Sequence, residues 1–244
     1  MNVADLPKLG VIENPLDGDL FGQWSDLSGK DLLILGMSEH QIDRFVSVHT
    51  PNSATILTLW ADHIDAESKK YSTIIGDITQ RTDFHDNQFD IVISMSVLEH
   101  VSNLHSALDE MGRIGKEMLH IFGPAWSCPY GHHLSASDTD PNLNFVRWQL
   151  PAHMHLLCSE KEICDYYDGL GYDRSVGQFV FGDMHKNPHI NRLFYDEYVT
   201  AFHRFQVVRW ECMFSRLPPD HLQLLKSLYG DRDFGTYGGC YKLF

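Results

Sequence analysis

The segment "FGPAWSCPYGHHLSASDTD", residues 122–140, sets two adjacent imidazoles, His132 and His133, among glycine, proline and aromatic residues. A neutral imidazole suits the removal of a hydroxyl proton, because its pKa lies near neutrality. A plainer reading has one ring bonded to the loop backbone and the other facing water. A third reading is a metal site. Asp138 and Asp140 follow closely, and His153 and His155 in "AHMHLL" share one side if that stretch is a strand. No known ligand spacing is met, so no metal ligand is assigned. Asp77 in "GDIT", Asp90 in "FDIVIS", and Glu99 with His100 in "LEH" are the other chemical candidates. Each either accepts bonds from a bound molecule or caps a turn.

Those side chains need a frame, and the apolar pattern predicts one. "KDLLILG" (30–36), "ATILTLW" (54–60), "STIIGD" (72–77), "FDIVISMSV" (89–97) and "EMLHIFG" (117–123) are compact apolar runs of the buried-strand type. Between them, "SEHQIDRFVSV" and "SNLHSALDEMGRI" (102–114) carry apolar residues at helical spacing, the second behind Ser102 or Asn103 as cap. "SEKEICDYYDGLG" (159–171) opens with a Ser159–Glu162 capping box and stops at Gly169 or Gly171. "VGQFVFG" (176–182) reads as a sixth strand. "INRLFYDEYVTAFHRFQVVRWECMFSRL" (190–217) reads as one long aromatic helix, ended by Pro218 and Pro219. A shorter helix (220–230) and a last edge strand (238–244) follow. Alternation of this kind predicts an α/β fold: a Rossmann-like, mostly parallel seven-stranded sheet with helices on both faces and an added C-terminal helical segment. Such sheets bind ligands at the carboxyl ends of their strands, where strand order switches. The expected organisation is one domain, 1–244, with an extended arm over 1–28 and a helical insertion or lid over 190–230.

Bulk composition narrows the class. With 19 basic and 33 acidic residues the formal net charge is -14, a field that repels phosphate backbones and anionic membranes. No nucleic-acid or membrane partner is therefore expected. No apolar run approaches the roughly 20 residues of a membrane span, and the opening residues lack a basic stretch followed by an apolar core. The expected location is the cytoplasm. Five cysteines without a CxxC pair read as reduced thiols. The aromatic stripe over Phe194, Tyr195, Phe202, Phe205, Trp210 and Phe214 serves as core, as a substrate lid, or as the face of a homodimer built through the C-terminal helices.

"GDITQRTDFHDNQFDIVISMSVLEHVSNLHSALDEMGRI", residues 76–114, resembles the middle of the class I S-adenosylmethionine-dependent methyltransferases. The shared pattern is an acid after the third strand, Phe-Asp, an apolar strand, Leu-Glu-His, and a helix opened by a small polar residue. Here these are Asp77, Phe89–Asp90, Ile91 to Met95, Leu98–Glu99–His100 and the helix from Ser102. The resemblance implies S-adenosylmethionine as cofactor. It places Asp77 and Ile78 at the adenine, Gly36 and Met37 after the first strand, Met95 at the end of the fourth, and Asp62, with Asp65 as runner-up, at the ribose. With that cofactor, the place of residues 122–140 directly after the fifth strand, across the mouth of the site, predicts O-methylation of a small-molecule hydroxyl with His132 or His133 as base. The "PYGHH" segment is similar to segments of methyltransferase-like proteins from glycan and polysaccharide gene sets, which points to a sugar as acceptor. One departure stands out. The family usually has several glycines after the first strand, but "LGMSEHQ" keeps only Gly36. That departure supports an alternative, a methyltransferase-like fold serving as an inactive binding or partner subunit. An NAD-dependent oxidoreductase is disfavoured, since no G-x-G-x-x-G follows the first strand.

Overall fold

The computed structural model describes residues 2–9, 20–59 and 71–244. The chain divides into two compact units. One comprises Pro15–Phe122, Val199–Glu211 and Gly239–Phe244, the other Met1–Asn14, Gly123–Tyr198 and Cys212–Gly238.

The first unit is built on the sheet. Its strands are β1 (Asp31–Leu35), β2 (Ser53–Thr58), β3 (Ser72–Ile75), β4 (Phe89–Met95) and β5 (Gly115–Phe122), with the first part of β6 (Val207–Phe214), up to Glu211, and the last part of β7 (Thr236–Leu243), from Gly239. Strand order is β3-β2-β1-β4-β5-β7-β6. The first five strands run parallel, and β7 runs antiparallel to β5. Leu32, Leu33 and Ile34 of β1 and Val92 and Ile93 of β4 are fully buried, which is why these strands read as continuous apolar runs. Helix α1 (Leu20–Trp24), helix α2 (Glu39–His49) and the sheet share one core containing Phe21, Trp24, Ile42, Phe45 and Ile91. Helix α3 (Leu104–Ile114) buries Leu104, Ala107, Leu108, Met111 and Ile114, and Asn103 caps it by accepting the Ser106 amide at 3.1 Å. Glu110 on α3 accepts from Arg113 and from the amide and hydroxyl of Thr82. Burial pushes this carboxyl up, but the bonds from Arg113 and Thr82 outweigh it and bring its pKa down to about 2.

The second unit contains helix α4 (Met154–Leu157), helix α5 (Glu160–Gly169), helix α6 (Arg174–Lys186) and helix α8 (Pro219–Tyr229); helix α7 (Tyr195–Phe202) begins in it. Val3, Leu6, Tyr130, Leu150, Tyr167, Val180 and Met184 form its main core. The Ser159–Glu162 capping box of α5 is present.

Several expectations are corrected. Residues 176–182 are helical within α6. Asp173 caps that helix by accepting the Ser175 amide at 2.8 Å, and its buried positions Gly177, Val180 and Met184 follow a helical period. A Cβ on Gly177 would lie 2.5 Å from the Cα of Cys164, so the alternation of "VGQFVFG" reflects a close helix–helix approach. The long helix over 190–217 does not form. α7 ends at Phe202 and "VVRWECMF" becomes β6, as its β-branched and aromatic content permits. β7 lies inside the sheet between β5 and β6, and β6 is the edge. The arm over 1–28 contains α1, which buries Leu20, Phe21 and Trp24. None of the five cysteines, all of them among the described residues, is in a disulfide.

Candidate functional site

Strand order switches between β1 and β4. β1 connects through α2 to β2 on one side, and β4 through α3 to β5 on the other. At such a switch the loops leaving the two strands bound the crevice in which sheets of this kind take ligands. Gly36 forms its floor. Its φ is +84°, and a Cβ would lie 2.0 Å from the carbonyl oxygen of Met95 and 2.4 Å from Cγ2 of Val97. Only glycine allows both that dihedral and that approach. Met37 and Met95 are half-buried and pack on the sheet core. α2 begins two residues further on. The Gln41 side chain accepts from the Ser38 amide at 2.8 Å and from the Ser38 hydroxyl at 2.9 Å, fixing a helix amino end beside the crevice. Such an end favours an anion such as a carboxylate. The structure thus brings Gly36, Met37 and Met95 together.

Asp77 and Ile78 sit at the carboxyl end of β3, two strands from β1, or about 10 Å at ordinary strand spacing. Asp77 Oδ1 accepts from the amide of Thr79 at 2.8 Å and its hydroxyl at 2.7 Å, while Ile78 is buried. One carboxylate oxygen therefore holds the turn, and Oδ2 takes part in neither bond, which suits an exocyclic amine. Asp62 and Asp65 lie outside the described residues. Asp90 is at the opposite end of the sheet. It accepts the Asp31 amide at 3.0 Å and pairs with Lys116 at 2.8 Å, a bracing role. His100 closes a turn by donating its amide to Val97.

One polar pair in this unit escaped sequence reasoning. Ser94 on β4 and His120 on β5 are register partners, and the Ser94 hydroxyl lies 2.8 Å from His120 Nδ1. Both are buried, and burial lowers the His120 pKa to about 3. The available signal was a polar residue inside each of two neighbouring apolar strands.

The other unit holds the histidine-rich segment. His132 is fully buried, and its Nδ1 accepts the Leu134 amide at 3.0 Å, so the neutral ring carries its proton on Nε2. Burial, aided by nearby histidines, lowers its pKa to about 3. His133 is half-buried with φ +54°, and its Nδ1 lies 2.7 Å from the Gly131 carbonyl. A carbonyl only accepts, so Nδ1 holds the proton and Nε2 holds the lone pair, the arrangement of a base. Gly131 is required where it stands, since a Cβ would come within 2.4 Å of the Ala125 and Trp126 carbonyl oxygens.

The groups considered for a metal have other bonds. Asp138 accepts from the Asn144 side chain, and Asp140 from the Asn142 amide and the Tyr172 hydroxyl. His153 precedes α4 and is not in a strand. Its Nε2 donates to the Phe234 carbonyl, and its Nδ1 lies 2.9 Å from Nε2 of His221. His155 Nε2 donates to the Trp126 carbonyl at 2.7 Å.

Comparison with known proteins supplies the family context. Residues 38–118 match a family model described as a methyltransferase domain. No curated protein sequence matches. Among solved structures, the chain is similar to an S-adenosylmethionine-dependent methyltransferase from Mesorhizobium loti, at 10% identity and TM-score 0.56, covering 92% of this chain and 95% of that one. It is also similar to the geranyl diphosphate C-methyltransferase of Streptomyces coelicolor A3(2), solved with Mg2+, geranyl diphosphate and S-adenosyl-L-homocysteine, at 13% identity and TM-score 0.53, covering 92% and 77%. A further similarity is to a chain in a Haloferax volcanii complex between the Trm112 methyltransferase activator and a methyltransferase, at 12% identity and TM-score 0.50, covering 88% and 82%. The matched segment opens at Ser38 and runs through β2, β3, β4 and α3 into β5, so it contains both Asp77 and Met95. Over residues 38–118 the chain is thus similar to a methyltransferase domain, and as a whole it shares the fold of S-adenosylmethionine-dependent methyltransferases.

Proposed function

We propose that the chain, acting as one methyltransferase-like domain over 1–244, transfers the methyl group of S-adenosylmethionine to a hydroxyl of a sugar or related small molecule. The observation that carries the cofactor part is the Gly36 turn, pressed against Met95 at the strand-order switch and followed by the capped amino end of α2. In this reading the helix end receives the methionine carboxylate. Asp77 Oδ2 and the Ile78 amide receive the adenine, and Asp62 receives the ribose hydroxyls. The sulfonium makes the methyl group electrophilic, so the protein's contribution is alignment, exclusion of water and a base.

The base in this reading is His133. Its Nδ1 is tied to the Gly131 carbonyl, which leaves Nε2 able to take the acceptor's hydroxyl proton as the carbon–oxygen bond forms. His132, buried and held neutral, supports the loop through its bond to the Leu134 amide. No helix among the described residues is long and apolar enough to cross a membrane, and a small acceptor in the cytoplasm is the setting proposed. The test is a screen of sugars and small alcohols with methyl-tritiated S-adenosylmethionine. Label recovered as a methyl ether supports the reading. Label on nitrogen or carbon overturns the choice of acceptor atom. Cofactor binding without transfer to any acceptor favours the inactive partner subunit, which the single glycine of "LGMSEHQ" otherwise recommends.

A further inference from the structure

The sheet ends in a strand whose open edge is patterned for one partner. β6 is the outermost strand, paired only with β7 in the strand order. Val208 and Trp210 are 50% and 61% exposed, two residues apart and therefore on one face. The other face carries Arg209 and Glu211, which pair with each other at 2.7 Å, with the Arg209 guanidinium 4.6 Å from the centre of the Trp24 ring.

The backbone sets which groups the open edge presents. Gln206 and Phe244 exchange both amide bonds, Gln206 N to Phe244 O at 3.0 Å and the reverse at 3.1 Å. In an antiparallel ladder, alternate residues point their amides at the same neighbour. An outermost strand pairs on one side only, so every second residue of β6 turns its N–H and C=O groups to the open edge; the phase set at Gln206 does not run unbroken, since the Ser215 amide donates to the Gly235 carbonyl at 2.9 Å. Such an edge invites another strand.

We propose that this edge pairs with β6 of a second copy of the chain, antiparallel about a two-fold axis at Trp210. Charge selects both the partner and the register. A two-fold centred on position 209 would set Arg209 against the partner's Arg209. One centred on 211 would set Glu211 against the partner's Glu211. Centring on 210 sets Arg209 opposite the partner's Glu211, and Glu211 opposite the partner's Arg209. Like charges directly opposite destabilise a strand pair and opposite charges stabilise it. The same register sets the two Trp210 residues directly opposite each other and covers the most exposed aromatic side chain on β6. The contact is isologous, so it closes at two copies.

The experiment is analytical ultracentrifugation of the full chain across micromolar concentrations, with R209E and E211R made separately. The parent is expected to sediment as a dimer of about 56 kDa, twice the chain mass of 28.0 kDa. Each single variant places like charges across the two-fold and is expected to sediment as a monomer, its dissociation constant raised at least about tenfold. Mixed in equal amounts, the two variants are expected to form a heterodimer. The carboxylate introduced by R209E then faces the guanidinium introduced by E211R, and the native Glu211 of the first chain faces the native Arg209 of the second. That recovery cannot come from a folding defect in either variant. A monomeric parent, dimers indifferent to both substitutions, or variants that stay monomeric on mixing would each overturn the proposal.

Discussion

Replacing Gly36 by alanine tests whether the crevice between β1 and β4 is built as described. Two costs add. A left-handed backbone at a residue with a Cβ costs about 1–2 kcal/mol, and Gly36 has φ +84°. The new methyl would also lie 2.0 Å from the Met95 carbonyl oxygen, a rigid backbone atom. The turn or the end of β4 must then move by about 1 Å, and overpacking of that kind costs typically 1–3 kcal/mol. The sum is roughly 2–5 kcal/mol. Gly29 is the control in the same unit. Its φ is +66°, and a Cβ there would meet nothing within 4 Å. Gly29→Ala should therefore cost only the conformational part, about 1–2 kcal/mol. Denaturant unfolding of both variants gives the difference directly. Calorimetric titration with S-adenosylhomocysteine adds the functional side: Gly36→Ala should lose at least about tenfold in affinity, or 1.4 kcal/mol, and Gly29→Ala should lose none. Equal stability of the two variants with unchanged affinity in Gly36→Ala would refute the argument.

Asp77→Ala should weaken cofactor binding by roughly 1–3 kcal/mol, whereas Asp77→Asn keeps a turn acceptor for Thr79 and should retain the fold more fully; calorimetry with unfolding curves separates the two effects. His133→Ala should lower turnover about 10²–10⁴-fold on the identified acceptor while S-adenosylhomocysteine affinity stays at the parental value. Burial holds His120 and His132 down to about 3 in the folded state, against 6.5 as their ordinary value. Their effect on stability is absent above about pH 6.5. As pH falls towards 3 the unfolded chain binds protons that the folded chain refuses, so each costs about 1.4 kcal/mol per pH unit. Unfolding free energy measured from pH 7 to 4 should fall accordingly, with a shallower slope in His132→Gln. Glu110 works through the opposite group: its carboxyl is lowered to about 2, so its stabilisation is present above about pH 4.5 and lost as pH falls through 2. Glu110→Gln should therefore cost on the order of 3 kcal/mol at pH 7 in denaturant unfolding and little near pH 2.

Much of the sheet could be read from the residues because its central strands are buried on both faces and look it. β1 and β4 are apolar runs without alternation, and Gly36 marks the turn that follows β1. α3 and α5 announced themselves through Asn103 and the Ser159–Glu162 box, which are local hydrogen bonds written in local sequence. What failed was decided by partners distant in the chain. β6 is a strand because it pairs with β7 across Gln206 and Phe244, and nothing within "VVRWECMF" records that pairing. α6 imitates a strand because its helical face is thinned by Gly177 to admit Cys164. The histidines divide for the same reason. His132 and His133 are neighbours of the same residue type, yet one bonds an amide and is buried, while the other bonds a carbonyl and keeps a lone pair. Ring orientation and burial separate their roles, and neither is a property of spacing.

The central claim is that the crevice at the end of β1 binds the adenosyl cofactor, and calorimetric titration of the parent chain with S-adenosylhomocysteine addresses it most directly. The account expects one saturable site per chain with a dissociation constant tighter than about 100 μM, or about -5.5 kcal/mol, weakened in Gly36→Ala and Asp77→Ala. Absence of saturable heat at millimolar ligand, with the parent folded in the same cell, would contradict it.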